Sequence, residues 1–134
     1  MEDRSEVEQR QEIFNLVIRM LVKQGQRSIA SNGACAYRGT NGRKCAVGFL
    51  ISDDEYTPKM EGQAVYSALM IKELLPKRLV PHACFLRELQ RKHDLDTTWR
   101  NRETFIVAFK KIAENYWINA NVLTDIPDDF LKAA

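Results

Sequence analysis

The chain has 134 residues, of which 45% are hydrophobic and 28% are charged, and its formal net charge is +2. This composition excludes a wholly disordered chain, and the length predicts a single globular domain over residues 1–134, because two separate cores would each be too small. No apolar run approaches the ~18 residues of a membrane span, and the polar start lacks the chemistry of a secretory signal. Three cysteines without a sign of export predict reduced thiols and a cytoplasmic protein.

The first predicted element is an amphipathic helix over residues 4–24. Its apolar residues recur at the spacing of one helix face: Ile13, Phe14, Val17, Ile18 and Leu21. Ser5 or Asp3 can cap its start, and Gly25 is a typical stop. A loop containing Asn32-Gly33 follows. One long helix is therefore expected to open the domain.

A β-hairpin is predicted next, with strands over residues 34–39 and 44–51 flanking an Asn-Gly turn. Asn-Gly tolerates the positive φ angles of a type I′ turn, whose twist matches paired strands. A two-residue loop would pair Arg38 with Cys45 and place Cys35 and Cys45 on opposite faces. A three-residue loop would bring both cysteines to one face. A helix that begins near Cys45 is a further alternative.

The rest of the chain is predicted to be mostly helical. Residues 52–59 have turn chemistry, and helices follow over residues 61–75, 82–93 and 98–119. The last of these has a strong core stripe at helical spacing: Trp99, Phe105, Phe109, Ile112, Ala113 and Tyr116. Together these elements predict an α+β fold, in which a small antiparallel β-hairpin packs among four or five α-helices.

Charge is distributed unevenly along the chain. Between Asn15 and Ile51 there is no acid, whereas the same stretch contains Arg19, Lys23, Arg27, Arg38, Arg43 and Lys44. Acid returns at Asp53, and a second mostly basic stretch runs from Lys72 to Lys92. The small net charge does not by itself indicate a nucleic acid or a membrane as ligand. The distribution fits solvated faces, and it also fits a basic surface that meets an anionic partner.

Metal-ligand residue types are present, but not in the pattern that metals need. Zinc accepts the side chains of Cys35, Cys45, His82 and Cys84, yet there is no C-x-x-C knuckle and the favoured hairpin separates the first pair. The acids Asp53, Asp54, Glu55 and Glu61 lack the ligand alternation and central glycine of an EF-hand loop. We therefore expect buried cysteines, acids that act as caps or solvated charge, and no metal or cofactor.

A cysteine nucleophile is the enzymatic alternative. Two basic residues precede Cys45, and nearby positive charge favours the thiolate. His93 would be the base, oriented by Asp94 or Asp96, in a thiol-dependent hydrolase or transferase. His93 also suits a simpler role at a helix end. The sequence contains no phosphate-binding loop, dinucleotide fingerprint, nucleophile elbow or H-E-x-x-H motif.

Nucleic-acid binding is a second alternative and is not favoured. Tyr37 and Arg38 lie beside Arg43 and Lys44 on the predicted hairpin, which would suit phosphate contacts with one stacking ring. No zinc-finger, RNP-like or basic-zipper pattern accompanies them.

Several parts of the chain together resemble a recurrent pattern in small bacterial and phage proteins. The pattern comprises Cys35-Ala-Tyr37-Arg38-Gly39, Lys44-Cys45-Ala46-Val47-Gly48, Leu50-Ile51, Tyr56, Glu61-Gly62 and Phe85-Leu-x-x-Leu89-Gln90-x-x-His93-Asp94. The resemblance spans roughly residues 34–99. It implies a shared scaffold and an origin in a bacterium or mobile element, and it implies no catalytic role.

The residues therefore favour a non-enzymatic regulatory or inhibitory interaction protein. Small phage-type proteins without catalytic motifs often act by gripping a host protein. We expect the basic hairpin to bind an acidic surface of a partner protein through Arg38, Arg43 and Lys44. Tyr37 would be an anchor, since Arg and Tyr are enriched at binding hot spots. The sequence leaves the oligomeric state open.

Overall fold

A computed structural model describes residues 5–31, 35–65 and 73–132. Over these ranges the α-helices are α1 (Glu6–Gln24), α2 (Ala83–Asp94) and α3 (Arg102–Asn115). They are joined by 3-10 turns at Thr40–Gly42, Gly48–Leu50, Pro58–Met60, Lys77–His82, Asp96–Trp99 and Asn121–Asp125. The described ranges contain no β-strand, only two isolated bridges, Ile29 with Cys35 and Arg38 with Lys44. The prediction of an α+β hairpin fold is therefore wrong, and this part of the chain is helical.

The Asn-Gly turn forms as expected, although the strands on either side of it do not. Asn41 and Gly42 have φ angles of 59° and 73°, and the Gly39 N–H donates to the Arg43 carbonyl at 2.9 Å. The loop has three residues, so Arg38 lies opposite Lys44 and not opposite Cys45. The preferred two-residue register was therefore also wrong.

The first arm of the predicted hairpin is not a strand because other groups bind its backbone. The N–H groups of Tyr37 and Arg38 donate to the carboxylate of Glu61 at 2.9 and 3.0 Å. The Ala36 N–H donates to the Ser28 carbonyl at 3.1 Å. These donors are therefore used by a distant side chain and a loop. Beyond the Cys45 N–H, which donates to the Tyr37 carbonyl at 3.3 Å, the pairing of the two arms does not continue in the described ranges.

The second arm turns helical soon after the bridge. The Phe49 N–H donates to the Cys45 carbonyl at 3.1 Å, within a bend that leads into the 3-10 turn at Gly48–Leu50. A Cβ on Gly48 would overlap the carbonyl oxygen of Tyr37, so glycine lets the two arms approach here. This geometry is closer to the alternative of a helical start near Cys45 than to a second strand.

The opening helix is confirmed, and its apolar stripe is buried at Phe14, Val17, Ile18 and Leu21. Ser5 and Glu8 form a capping box, in which each side chain accepts from the other residue's N–H at 3.1 Å. Gly25 ends the helix in the left-handed conformation, with a φ angle of 70°. The helix thus presents one face to the core and ends beside the Asn-Gly turn.

α2 and α3 complete the core. α2 buries Phe85, Leu86 and Leu89, and α3 buries Phe105, Phe109, Ile112 and Ala113. A ring cluster ties α3 to its neighbours, since the Phe105 centroid lies 5.2 Å from that of Trp99 and 4.9 Å from that of Phe130. The long helix predicted over residues 98–119 is shorter in the structure, because an Asn101 cap begins it and a turn after Asn115 ends it.

Some predictions fall on residues that the structure does not describe. Part of the helix predicted over residues 61–75, at 66–72, lies outside the described residues, as do Asp3, Asn32-Gly33 and Ala34. The described ends of that prediction, at 61–64 and 73–75, are turns and irregular chain, so the helix was wrong there. Among the helices in the described ranges, none combines the length and apolarity that crossing a bilayer requires.

Candidate functional site

The C-terminal tail crosses the end of α1. A Cβ on Gly25 would overlap the Phe130 carbonyl oxygen, and the Lys132 N–H donates to the Gly25 carbonyl at 2.9 Å. The Lys132 ammonium donates to the Lys23 carbonyl at 3.3 Å. A cation suits this position because the C-terminal end of a helix carries partial negative charge. The crossing brings the tail and the last turn of α1 together.

The side chain of Gln24 fixes the Asn-Gly turn to the same end of α1. Its Oε1 accepts from the Lys44 N–H at 2.8 Å, and its Nε2 donates to the Lys44 carbonyl at 2.9 Å. The same Nε2 donates to the Gln26 carbonyl at 2.8 Å. Gln24 therefore holds the segment that carries Arg43 and Lys44, which lie half-buried at the surface.

A cavity of about 420 Å³ lies between α1, the Asn-Gly turn and the tail. Met20 and Phe49 contribute apolar surface to it. Lys23, Arg43 and Lys132 contribute positive charge from three separate segments of the chain. The turn that the sequence singled out is therefore one wall of a concave site, not the tip of a hairpin.

A second cavity, of about 540 Å³, adjoins the first because Lys23 lines both. It runs along α1 past Arg19, and its other polar lining residues are Asn15, Asn119, Asn121 and Asp125. Asp125 is the one carboxylate that lines either cavity among the described residues. We call the two cavities together the basic groove, with Arg19, Lys23, Arg43 and Lys132 as its cations.

The cations of the basic groove differ from most other arginines of the protein. Arg27, Arg38 and Arg78 each contact a carboxylate oxygen, at 2.7, 2.8 and 2.7 Å. Within residues 5–31, 35–65 and 73–132, no ion pair engages the four groove cations. Several unpaired like charges in a concave site raise the local positive potential.

Tyr37, the predicted anchor residue, points into the protein. Its side chain is 5% exposed, and its hydroxyl donates to the Gln63 carbonyl. Burial, followed by neighbouring acidic groups, raises the pKa of the Tyr37 hydroxyl. Tyr37 therefore belongs to the core and not to an accessible surface.

Arg38, the second residue of the expected contact, is bound internally. Its Nη2 contacts Asp53 Oδ1 at 2.8 Å and donates to the Ile51 carbonyl at 3.3 Å. The guanidinium also lies 4.5 Å from the ring centroid of Tyr56, a cation–π contact. The Tyr56 hydroxyl in turn donates to Glu61 at 2.6 Å. Arg38 thus joins the loop to Glu61, and of the predicted binding residues Arg43 and Lys44 remain at the surface.

The thiol-dependent enzyme would use Cys45 as nucleophile, His93 as base and Asp94 to orient the base. The surroundings of Cys45 and His93 do not suit these roles. Cys45 is fully buried, and its Sγ accepts from the Gly48 N–H at 3.3 Å. Burial raises the pKa of the Cys45 thiol, which disfavours the nucleophilic thiolate.

His93 has no ring nitrogen free to act as a base. The Ser28 N–H can only donate, so His93 Nε2 accepts from it at 3.1 Å. The ring proton is therefore on Nδ1, which donates to Asp94 Oδ1 at 2.8 Å. The Trp99 indole donates to the His93 carbonyl at 2.8 Å. This buried histidine links α2 to the loop after α1, which is a structural role.

The other two cysteines differ in their exposure to solvent. Cys35 is half-buried beside Arg27 and the Asp94 carbonyl, each 3.8 Å from its Sγ. Burial, with a smaller effect from the Asp94 carboxylate, raises the pKa of Cys35. Cys84 is exposed. In the described part of the chain, no group of three or more His, Cys, Asp or Glu side chains is placed to hold a metal ion.

The acidic residues Asp53 and Glu55 stabilise the loop in which they lie. Glu55 and Ser52 exchange backbone-to-side-chain hydrogen bonds at 3.0 and 3.3 Å. Arg78 donates to Glu55 at 2.7 Å, and this hydrogen bond lowers the pKa of the Glu55 carboxyl. Asp53 pairs with Arg38 as described above. The hydrogen bonds between Glu55 and Ser52 fit the expected role of the acids as caps, whereas the pairing of Asp53 and Glu55 with arginines differs from the expected solvated charge.

Trp117 is a surface feature that the sequence reasoning missed. It is 85% exposed and has a φ angle of 57°, in the left-handed region that bulky residues rarely adopt. The N–H groups of Trp117 and Ile118 donate to the carbonyls of Glu114 and Ala113 at 3.4 and 3.1 Å. This is a Schellman ending of α3, in which Trp117 takes the position where glycine is usual.

Comparisons of the chain with protein-family models, with curated proteins and with solved structures give no match.

Proposed function

We infer that this chain is a non-enzymatic binding protein and that its basic groove receives an acidic segment of a partner protein. The observation that carries the proposal is the convergence of Arg19, Lys23, Arg43 and Lys132 on one concave surface without ion pairs in the described ranges. Mutual repulsion makes such a cluster unfavourable in the free protein. Carboxylates of a partner would relieve that repulsion and would be steered toward the groove.

The lining of the groove favours a peptide over a nucleic acid. Met20 and Phe49 offer apolar surface for aliphatic parts of a peptide side chain. A peptide can combine acidic and aliphatic side chains, whereas a phosphodiester backbone offers only its charge. An acidic peptide therefore matches both the charge and the apolar surface of the site.

The proposed function is still the binding of an acidic surface of a partner protein, as the sequence predicted, but the residues that make the contact are different. A protein that occupies an acidic surface of its partner would be regulatory or inhibitory. Arg43 stays in the proposed site, whereas Lys44 lines neither of its cavities. Lys23 and Lys132 take the roles expected of Tyr37 and Arg38. The thiol-dependent enzyme is not favoured, because burial disfavours the Cys45 thiolate and both ring nitrogens of His93 are engaged.

The test is a fluorescence-anisotropy titration of the purified protein into a labelled peptide of alternating Asp, Glu and small apolar residues. Lys23→Glu combined with Arg43→Glu should weaken binding by roughly tenfold or more, because two contacts become repulsive. The matched control is Lys110→Glu with Lys111→Glu, which changes net charge equally on exposed α3 positions that line neither cavity.

Two outcomes would reject the proposal. Equal losses in the two double variants would show attraction to net charge and not to the groove. Preferential binding of a labelled oligothymidylate of equal charge, lost in the groove variant, would assign the groove to a nucleic acid instead.

A further inference from the structure

A second groove, which is apolar where the first is basic, runs between the end of α2 and the first turns of α3. Its cavity is about 340 Å³ and its lining is mainly apolar, from Leu95, Val107 and Ala108 with three threonines, Thr97, Thr98 and Thr104. Leu95 is 48% exposed and Val107 is 67% exposed. We call this surface the apolar groove. Exposing these two side chains to water is unfavourable unless another surface covers them.

The two walls of the apolar groove carry opposite charges. Lys92 lies on the α2 wall and Glu103 on the α3 wall. Arg102 donates to the Glu103 carboxylate at 3.2 Å and is itself held by the Ile126 carbonyl at 2.8 Å, which orients the acid. Over the ranges that the structure describes, Lys92 has no ion pair. In this part of the chain Lys92 therefore offers an uncompensated positive charge, whereas Glu103 already contacts Arg102 and keeps a side chain that is 76% exposed.

We propose that a second copy of this chain covers the apolar groove and forms a twofold-symmetric dimer. In a twofold interface the same patch meets itself, so each surface must be complementary to its own rotated copy. The apolar groove has that property, because Val107 protrudes from the α3 wall and can enter the groove of the other copy. Lys92 of each copy then meets Glu103 of the other, and the pair occurs twice.

The same observations argue against a partner of a single charge. A strongly acidic segment would meet Glu103, and a strongly basic one would meet Lys92. A self-complementary pattern of one acid and one base around an apolar centre is what an isologous contact needs. This inference stands on residues of α2 and α3 and is independent of the basic groove.

Sedimentation velocity of the full chain over a wide concentration range tests the dimer. The wild-type protein should move from monomer to dimer as its concentration rises. Val107→Glu should stay monomeric, because it places charge in the apolar centre, and its exposed position predicts an intact fold that circular dichroism can verify. Lys110→Glu, at another exposed position of α3, and Trp117→Ala should dimerise like the wild type.

A charge exchange makes the test specific for the proposed pairing. Lys92→Glu and Glu103→Lys should each weaken dimerisation by roughly tenfold, because each places two like-charged pairs across the interface. The double variant Lys92→Glu with Glu103→Lys should recover most of that loss. A wild-type protein that remains monomeric at every concentration would overturn the proposal. So would a dimer that survives Val107→Glu, a dimer abolished by Trp117→Ala, or a double variant no better than the singles.

Discussion

The side chain of Gln24, in the last turn of α1, hydrogen-bonds both the N–H and the carbonyl of Lys44, at 2.8 and 2.9 Å. One amide thereby binds the backbone groups of Lys44 that face away from the bridge with Arg38. It also sets the distance between Lys23 on the helix and Arg43 on the turn. The geometry of the basic groove therefore depends on a neutral residue that itself lines the first cavity.

Gln24→Ala should lower the free energy of unfolding by about 1–3 kcal/mol, because it removes these hydrogen bonds and leaves half-buried backbone groups of Lys44 unpaired. Urea unfolding followed by circular dichroism measures the change. Gln26→Ala is the matched control, since the Gln26 Oε1 has no partner among the described residues. Equal stability losses in the two variants would contradict the proposed role of Gln24.

Tyr56 predicts a fall in stability at alkaline pH. Burial, then the hydrogen bond to Glu61, raises the pKa of Tyr56 to about 12 from an ordinary value of 10.0. The folded protein holds this proton more tightly than the unfolded chain does. The resulting stability is full below the unfolded pKa and is lost as pH rises through the folded pKa. Urea unfolding across this window should show a shallower decline for Tyr56→Phe, and an unchanged slope would contradict the assignment.

Alkylation with iodoacetamide should separate the cysteines by their surroundings. Cys84 is exposed and should react first, and the half-buried Cys35 should react more slowly. Cys45 should react only when the protein unfolds, because it is buried and burial raises the pKa of its thiol. Peptide mass spectrometry assigns the sites. Labelling of native Cys45 ahead of Cys84 would favour the hypothesis of a thiol-dependent enzyme over that of a binding protein.

Trp117 should be replaceable with a gain in stability. Trp117→Gly relieves the left-handed strain at the end of α3 and removes an exposed indole, which should raise the free energy of unfolding by about 1 kcal/mol. Trp117→Ala removes the indole but keeps the strain, so it should change stability little. Chemical unfolding of the two variants compares them. A glycine variant no more stable than the alanine variant would contradict the backbone strain assigned to this position.

Local patterns in the sequence were sufficient to predict several elements. The stripe of Phe14, Val17, Ile18 and Leu21 defined α1, and Asn41-Gly42 defined a turn with positive φ angles, because both depend on neighbours in the chain. The hairpin failed for the opposite reason. Its backbone donors are bound by Glu61, and no local pattern reveals which distant carboxylate will do so.

The candidate site, like the fold, has features that local sequence predicts and features that depend on distant contacts. The absence of acidic residues before Asp53 drew attention to Arg43 and Lys44, which are at the surface. It could not show that Tyr37 and Arg38 turn inward, since that depends on Gln63, Tyr56 and Asp53 after folding. Lys132 joins Lys23 only because the tail returns over Gly25, a contact between distant parts of the chain. Trp117 was missed because it takes a position where glycine is the usual signal.

The most direct test of the basic groove is amide chemical-shift mapping of the isotope-labelled protein during titration with the same acidic peptide. We expect the largest shifts at Arg19, Lys23, Arg43 and Lys132, with a matching loss of these shifts in the variant that combines Lys23→Glu and Arg43→Glu. Shifts concentrated at Lys110 and Lys111, or spread evenly over the basic residues of the chain, would contradict the claim that this groove is the binding site.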